Sequence, residues 1–205
     1  MNRIVKLTTW GLIMLVPAGA IAKSYYARQH LGWRSHIVAS GKSLVFRSST
    51  SSYNNGSRVA LAFDRTLKKC STQVIKLNFA LRRPATRSAY KSNLFGQLRV
   101  DGYRIHNINY RMSRRRGSRF GFVYVTNFRE GSRMLRELNR GRIVRFKLEN
   151  ASGKGYYFHF PMRGFRAATA RARRLCYDSL RRKQRKRDEQ YFRSSPSRGN
   201  NDRFL

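Results

Sequence analysis

The segment Val74-Ile-Lys-Leu-Asn-Phe-Ala-Leu81 carries an apolar residue at every odd position from Ile75 to Leu81. Lys76 and Asn78 lie between these positions and are polar. A period of two is typical of a β-strand that buries one face and exposes the other. The strand ends before Pro84, because proline cannot donate a hydrogen bond to a β-ladder.

Other segments on both sides of this strand predict a mainly β protein. Turn-forming sequences, among them Asn55-Gly56 and Asp101-Gly102, separate them. The strand candidates cover residues 33–39, 43–47, 58–63, 94–100, 103–112, 120–125, 143–148 and 156–160. Residues 23–32 are predicted to be a polar lead-in, and residues 85–93 a loop. We expect a small antiparallel β-sandwich or a barrel-like sheet.

Two α-helices complete the predicted fold. Ser132 can cap a short helix through Leu138, and Gly141 lies just beyond its end. A second helix is predicted from about Gly164 to Leu180, with its apolar residues in one stripe at helical spacing. This stripe predicts that the C-terminal helix packs against the sheet.

The N-terminus has the features of a secretory signal peptide over residues 1–22. Arg3 and Lys6 precede an apolar run, and Ala20-Ile-Ala22 matches a small-residue cleavage pattern. The run is shorter than a bilayer span, although an uncleaved anchor is the alternative. The sequence thus predicts a periplasmic or secreted protein with a β-rich domain over 23–180 and a basic, disordered tail over 181–205.

Cys70 and Cys176 are the two cysteines of the chain. In an oxidising compartment a pair at this separation is expected to form one disulfide. Two buried free thiols are the alternative. The cysteines match no zinc-binding or CxxC spacing.

The net charge of +36 arises from 45 Lys and Arg against 9 Asp and Glu. Arginine dominates with 34 residues, and its planar guanidinium binds phosphate or carboxylate with two hydrogen bonds. The densest cations lie in a predicted hairpin loop, on the C-terminal helix and in the tail. The candidate polyanion-binding residues are Arg111, Arg114, Arg115, Arg116 and Arg119, then Arg166, Arg173 and Arg174, then Arg181, Arg182, Lys183, Arg185, Lys186 and Arg187. A basic surface that serves only solubility is the alternative.

The sequence contains no recognisable catalytic motif. The four histidines have no metal-binding spacing, and no GxSxG, Walker or GxGxxG sequence is present. Nine carboxylates also provide little material for paired-carboxylate hydrolysis or oxygen-ligand metal sites. We therefore predict a protein that is not an enzyme and uses no metal or cofactor.

The C-terminal half has a distinctive order of elements. A short helix over 134–141 ends in glycine, strands at 143–148 and 157–160 follow, and Gly164-Phe165 opens an alanine-rich helix. Over residues 94–176 this order resembles the invasion-associated locus B family of secreted proteobacterial proteins. The resemblance implies a small β-sandwich protein with a signal peptide, no catalytic residues, and a host-associated or envelope function. It assigns no functional residue here.

Two functions compatible with these features are predicted. The first is an exported, non-catalytic protein that binds an anionic envelope or host-surface component, such as a lipid or a polysaccharide. The alternative is an exported nucleic-acid-binding protein that uses the arginine-rich loop and the tail. A second alternative is an envelope enzyme whose groups converge from distant parts of the sequence.

Overall fold

The computed structural model describes residues 23–40, 43–54, 57–81, 83–127, 132–149 and 153–193. The predicted signal peptide and the Asn55-Gly56 turn lie outside these residues. So does the part of the predicted tail from residue 194 onward. No helix in the described ranges is both long enough and apolar enough to cross a membrane.

The described chain forms ten strands and two helices. In chain order they are β1 (Lys23–His30), β2 (Trp33–Ser40), β3 (Ser43–Asn54), β4 (Ser57–Thr66), β5 (Lys69–Ala80), β6 (Ala89–Val100), β7 (His106–Arg114), β8 (Phe120–Val125), α1 (Arg133–Arg140), β9 (Ile143–Glu149), β10 (Gly155–Pro161) and α2 (Phe165–Arg193). All neighbouring strands are antiparallel. The predicted mainly β fold with two helices is confirmed.

The strands form one sheet in the order β1-β2-β3-β4-β5-β8-β7-β6-β9-β10. The sheet curls so that β2 and β10, near its opposite ends, come into contact. The indole nitrogen of Trp33 in β2 donates to the carbonyl oxygen of Pro161 in β10 over 2.8 Å. The sheet does not close, since the edge strands β1 and β10 are not paired with each other in the described ranges. The architecture is thus the barrel-like form of the prediction.

The inner face of the curled sheet holds the main core. As predicted, Ile75 and Leu77 of β5 point inward and are fully buried. They belong to one core cluster with residues of β2, β4 and β6 to β10 and with two residues of α1, Met134 and Leu138. Alternation thus places one apolar face of nearly every strand inside the same core.

Helix α2 covers the inner face of the sheet near β2 and β3. The Phe165 ring lies 4.8 Å from the Trp33 ring and 4.7 Å from the Phe63 ring, between ring centroids. One turn after another, Ala168, Ala172 and Cys176 are buried along the helix. The predicted apolar stripe on α2 therefore does pack against the sheet.

Two predicted loops are β-strands in the structure. Residues 23–30 form the edge strand β1, and the side chains from Ser24 to Gln29 are exposed. The strand is held by backbone hydrogen bonds to β2, which require no alternation of apolar residues. For this reason the sequence pattern did not reveal it. The strand β6 begins at Ala89 rather than Leu94. A bulge between Lys91 and Leu94, with Asn93 at a φ of 57°, interrupts its alternation.

Helix α2 continues through Arg193, where the sequence predicted a disordered tail from Arg181. The reason is local. Residues 181–193 contain no glycine or proline, and arginine, lysine, glutamine and glutamate all favour a helix. We call residues 181–193 the helix extension. All of its side chains are exposed.

Candidate anion-binding surface

The arginine-rich loop connects β7 to β8, as the sequence predicted for a hairpin tip. Three backbone hydrogen bonds tie this loop to the chain after β5. They run from Leu81 N to the Arg119 oxygen, from Ala85 N to the Ser118 oxygen, and from Gly117 N to the Ala85 oxygen, at 2.8–2.9 Å. Gly117 has a φ of 75°, a conformation that favours glycine. The loop therefore has a defined backbone that presents exposed Arg115, Arg116 and Arg119.

Arg114 occupies an inward position at the end of β7. It continues the inward series of Ile108, Tyr110 and Met112, and it pairs in register with Ala89 of β6. Lys91 pairs with Met112 and occupies the inward series of β6 before the bulge. Sequence reasoning missed Lys91, because the bulge hid both the strand and its register.

We call Lys91, Arg114, Arg115, Arg116 and Arg119 the basic rim. Their side chains form no hydrogen bond or ion pair with any residue that the structure describes. Most described carboxylates are engaged elsewhere, for example Asp64 with Arg47, Glu149 with Lys147 and Asp178 with Arg181. The rim is therefore a cluster of cations that has no counter-charge among the residues that the structure describes.

Two adjoining apolar cavities lie at the inner face of the curled sheet, and the smaller one borders the rim. The larger, about 390 Å³, extends from Ser57 at its edge to Tyr110 and Val123 inside. The smaller, about 280 Å³, includes both Lys91 and Arg114 in its wall. Phe79 and Met112 line both cavities.

Glycine shapes the wall of the smaller cavity. Gly121 of β8 lies opposite Phe79 of β5, and a Cβ atom at Gly121 would lie 2.4 Å from the Phe79 ring. Glycine therefore lets the Phe79 ring lie against the backbone of β8 and leaves the space beside it open.

Arg111, although a predicted site residue, is not part of the rim. It points to the outer face of the sheet, where its guanidinium lies 5.1 Å from the centre of the Tyr124 ring. Strand alternation sends Arg111 and Arg114 to opposite faces. Lys76 lies on the same outer face, where its Nζ atom is 4.3 Å from the centre of the Phe122 ring.

This outer face also holds a polar cluster that the sequence did not reveal. Arg47 donates two hydrogen bonds to Asp64, each over 2.6 Å. Burial and the nearby Arg47 lower the pKa of Lys76, and burial, Arg47 and Arg34 lower the pKa of His36 to about 4. These residues lie on four neighbouring strands, β2 to β5, and come together only through the sheet register, so no local motif marks the cluster.

The helix arginines divide into two groups. Arg166, Arg173 and Arg174 are exposed on α2, as predicted. Arg171 of the same helix instead donates to the Tyr26 oxygen over 2.8 Å and to the Ser35 hydroxyl over 3.0 Å. Arg171 thus joins α2 to β1 and β2, and these hydrogen bonds leave its guanidinium less available to an external anion than those of the three exposed arginines.

The cations of the helix extension lie far from the rim. The extension follows Cys176, which bonds to Cys70 at the start of β5, whereas the rim loop is tied to the other end of that strand. Ten residues of strand separate the two ends, a length of about 33 Å. The predicted site residues Arg181, Arg182, Lys183, Arg185, Lys186 and Arg187 therefore form a second basic surface.

The described residues contain little that suggests catalysis. No group of three or more His, Cys, Asp or Glu side chains among them could hold a metal ion. His30 Nε2 lies 2.8 Å from the Ser35 hydroxyl, but Ser35 is fully buried and cannot reach a substrate. His106 binds Glu137 over 2.7 Å, and this pair is also buried.

Comparison with known proteins adds no relative. No family model, no curated protein and no solved structure matches this chain. The resemblance to the invasion-associated locus B family remains a prediction from the order of elements.

Proposed function

We propose that this is an exported, non-catalytic protein that binds an anionic component of the envelope or of a host surface through the basic rim. The observation that supports this function is the rim itself. Its exposed cations have no partner among the described residues, and three of the five lie on a loop with a defined backbone. Lipid phosphates and acidic polysaccharides supply the matching charge.

Export is the second part of the proposal. The disulfide between Cys70 and Cys176 is compatible with an oxidising compartment, and the leader over residues 1–22 supplies a route to it. Cell fractionation of the producing organism tests this part, together with the mass of the purified protein. Recovery of the full chain in the cytosolic fraction would contradict it.

Vesicle binding tests the rim. The variant Arg114→Ser/Arg115→Ser/Arg116→Ser should bind vesicles containing an anionic phospholipid at least tenfold more weakly than the wild type. Each cation near such a surface contributes about 1 kcal/mol. Binding should also weaken as salt is added.

The matched control removes the same charge from the other end of the barrel. Three exposed arginines lie there: Arg104 between β6 and β7, Arg142 just before β9, and Arg163 just after β10. Replacing these three with serine should change vesicle binding much less than the rim variant does. Equal losses from both variants would show that net charge alone drives binding, and the rim proposal would be wrong.

A second candidate function rests on the helix extension. A helix exposed on all sides with six cations between Arg181 and Arg187 suits the phosphate backbone of a nucleic acid. Because the extension and the rim are separate surfaces, deletion of residues 181–205 should abolish binding to duplex DNA and leave vesicle binding to the rim intact. DNA binding that survives this deletion would exclude the extension as the nucleic-acid site.

A further inference from the structure

We propose that the ligand of the rim is an anionic lipid, one acyl chain of which enters the apolar cavities of the barrel. This inference rests on the proposed function and names its substrate class. It follows from two features that meet at one place, the cations of the rim and the opening of the core.

The cavities have the walls that an acyl chain requires. The larger is lined mainly by apolar side chains, among them Leu77, Phe79, Met112 and Phe158. None of the described residues that line either cavity is acidic. Their volumes, about 390 and 280 Å³, fall near the range of small-molecule sites.

The cavities are also open to a ligand from the rim. Tyr156 and Ser57 line the larger cavity and are partly exposed, so solvent reaches its edge. At the smaller cavity, Lys91 and Arg114 are exposed while Leu94 and Met112 behind them are only partly exposed. A ligand there contacts cations first and apolar side chains further in.

Charge complementarity determines the occupant. A neutral apolar molecule would fill the cavities but leave Lys91 and Arg114 without a partner, and a polysaccharide would engage the cations but not the cavities. A phosphate or carboxylate headgroup on an acyl chain satisfies both, because guanidinium and ammonium groups bind such oxygens strongly.

Alkyl phosphates of increasing length test the inference. We would measure calorimetric binding of inorganic phosphate and of octyl, decyl and dodecyl phosphate, at concentrations below micelle formation. Affinity should rise about fourfold for each added methylene until the cavities are filled, because burial of one methylene contributes about 0.8 kcal/mol. Alkyltrimethylammonium ions of the same lengths should bind at least tenfold more weakly.

Two variants separate the cavity from the rim. Ser57→Trp places a large ring at the edge of the larger cavity. Met112→Phe enlarges a side chain in the wall that both cavities share and so reduces the space in each. Each should flatten the dependence on chain length while leaving the binding of tripolyphosphate, a chainless anion, unchanged. Ser57 lies at a strand end, so its variant is expected to fold, which a thermal unfolding curve would check.

The outcomes distinguish the inference from the proposed function. If affinity does not depend on chain length, or if the cationic series binds as well as the anionic one, the lipid inference is wrong. If rim-dependent vesicle binding persists in that case, the proposed function stands alone. If the rim variant binds vesicles like the wild type, both fail.

Discussion

His36 shows how one half-buried side chain on the outer face becomes sensitive to pH. It lies on β2 opposite Arg47 of β3, and its Nδ1 atom is buried without a hydrogen-bond partner among the described residues. Burial disfavours the charged ring, and the positive charges of Arg47 and Arg34 disfavour it further, with Asp64 opposing them. The pKa is thereby lowered to about 4, well below the ordinary value of 6.5.

We predict that His36 destabilises the protein in mild acid. The unfolded chain takes up this proton near pH 6.5 and the folded chain only near pH 4, so stability is full above pH 6.5 and falls between these values. At this half-buried side chain the loss is about 1–2 kcal/mol, and His36→Gln should remove it. Urea unfolding at pH 7.5 and pH 4.5 measures the difference. Equal pH-dependent losses in wild type and variant would contradict the prediction.

Glu137 illustrates a buried carboxylate with a structural role. It lies on α1 and accepts hydrogen bonds from His106 of β7 over 2.7 Å and from Arg133 over 2.9 Å. Burial opposes its ionisation, but the hydrogen bonds from His106 and Arg133 outweigh burial and hold the pKa of Glu137 below its ordinary value. The carboxylate thus fastens α1 to the sheet.

We expect Glu137→Gln to lower the free energy of unfolding at neutral pH by about 2 kcal/mol, because the buried carboxylate that accepts hydrogen bonds from His106 and Arg133 loses its charge. Chemical denaturation measures this change. The control is Glu149→Gln, which breaks the half-exposed pair with Lys147 and should leave the denaturation midpoint within error. A similar effect of both variants would exclude a special role for burial.

Among the elements, α2 is the one that a disulfide joins to a strand far away in the sequence. The Cys70–Cys176 disulfide closes a loop of 106 residues and lies in a small apolar cluster with Ile37 and Phe46. The sequence predicted this pairing from export and from the number of cysteines. It did not predict that α2 would continue past the disulfide as the helix extension.

Loss of the disulfide should destabilise the whole fold. The double variant Cys70→Ala/Cys176→Ala is expected to lose about 4–5 kcal/mol, because the unfolded chain gains the entropy of an open loop. Denaturation with and without a reducing agent measures it. The reduced wild type should resemble the variant, and an unchanged midpoint on reduction would contradict this prediction.

At the scale of the whole molecule, the curl of the sheet depends on contacts between its two ends. Trp33 is fully buried, donates a hydrogen bond to the Pro161 oxygen and packs edge to face with the Phe165 ring. Gly32, the residue before it, accepts a hydrogen bond from Thr50 of β3 over 2.7 Å. The contacts of Trp33 bring β2 and β10 together, although these two strands do not pair with each other.

We predict that Trp33→Phe weakens this junction more than the rest of the barrel. It removes the hydrogen bond to Pro161 and part of a buried ring, at a cost of about 2–4 kcal/mol. Hydrogen exchange should accelerate most in β2 and β10 and least in β7 and β8. Uniform acceleration across the sheet would show that the junction has no separate role.

Features that depend on near neighbours along the chain were predictable from the sequence. The alternation of Ile75, Leu77 and Phe79 predicted an inward strand face, Ser132 predicted the start of α1, and the stripe on α2 predicted a helix packed on the sheet. It also determined the excess of arginine and its concentration between Arg114 and Arg119. Propensity, period and charge are local properties, so they can be read from the chain directly.

The tertiary structure alone decided which of these residues meet. The register of β6 on β7 brings Lys91 beside Arg114 at the opening of the core. The length of β5 separates the rim from the helix extension. Pairing between strands distant in sequence sets the register, and a shift of one residue would reverse the face of every side chain. For that reason the basic site and its cavity emerge only when the sheet is assembled.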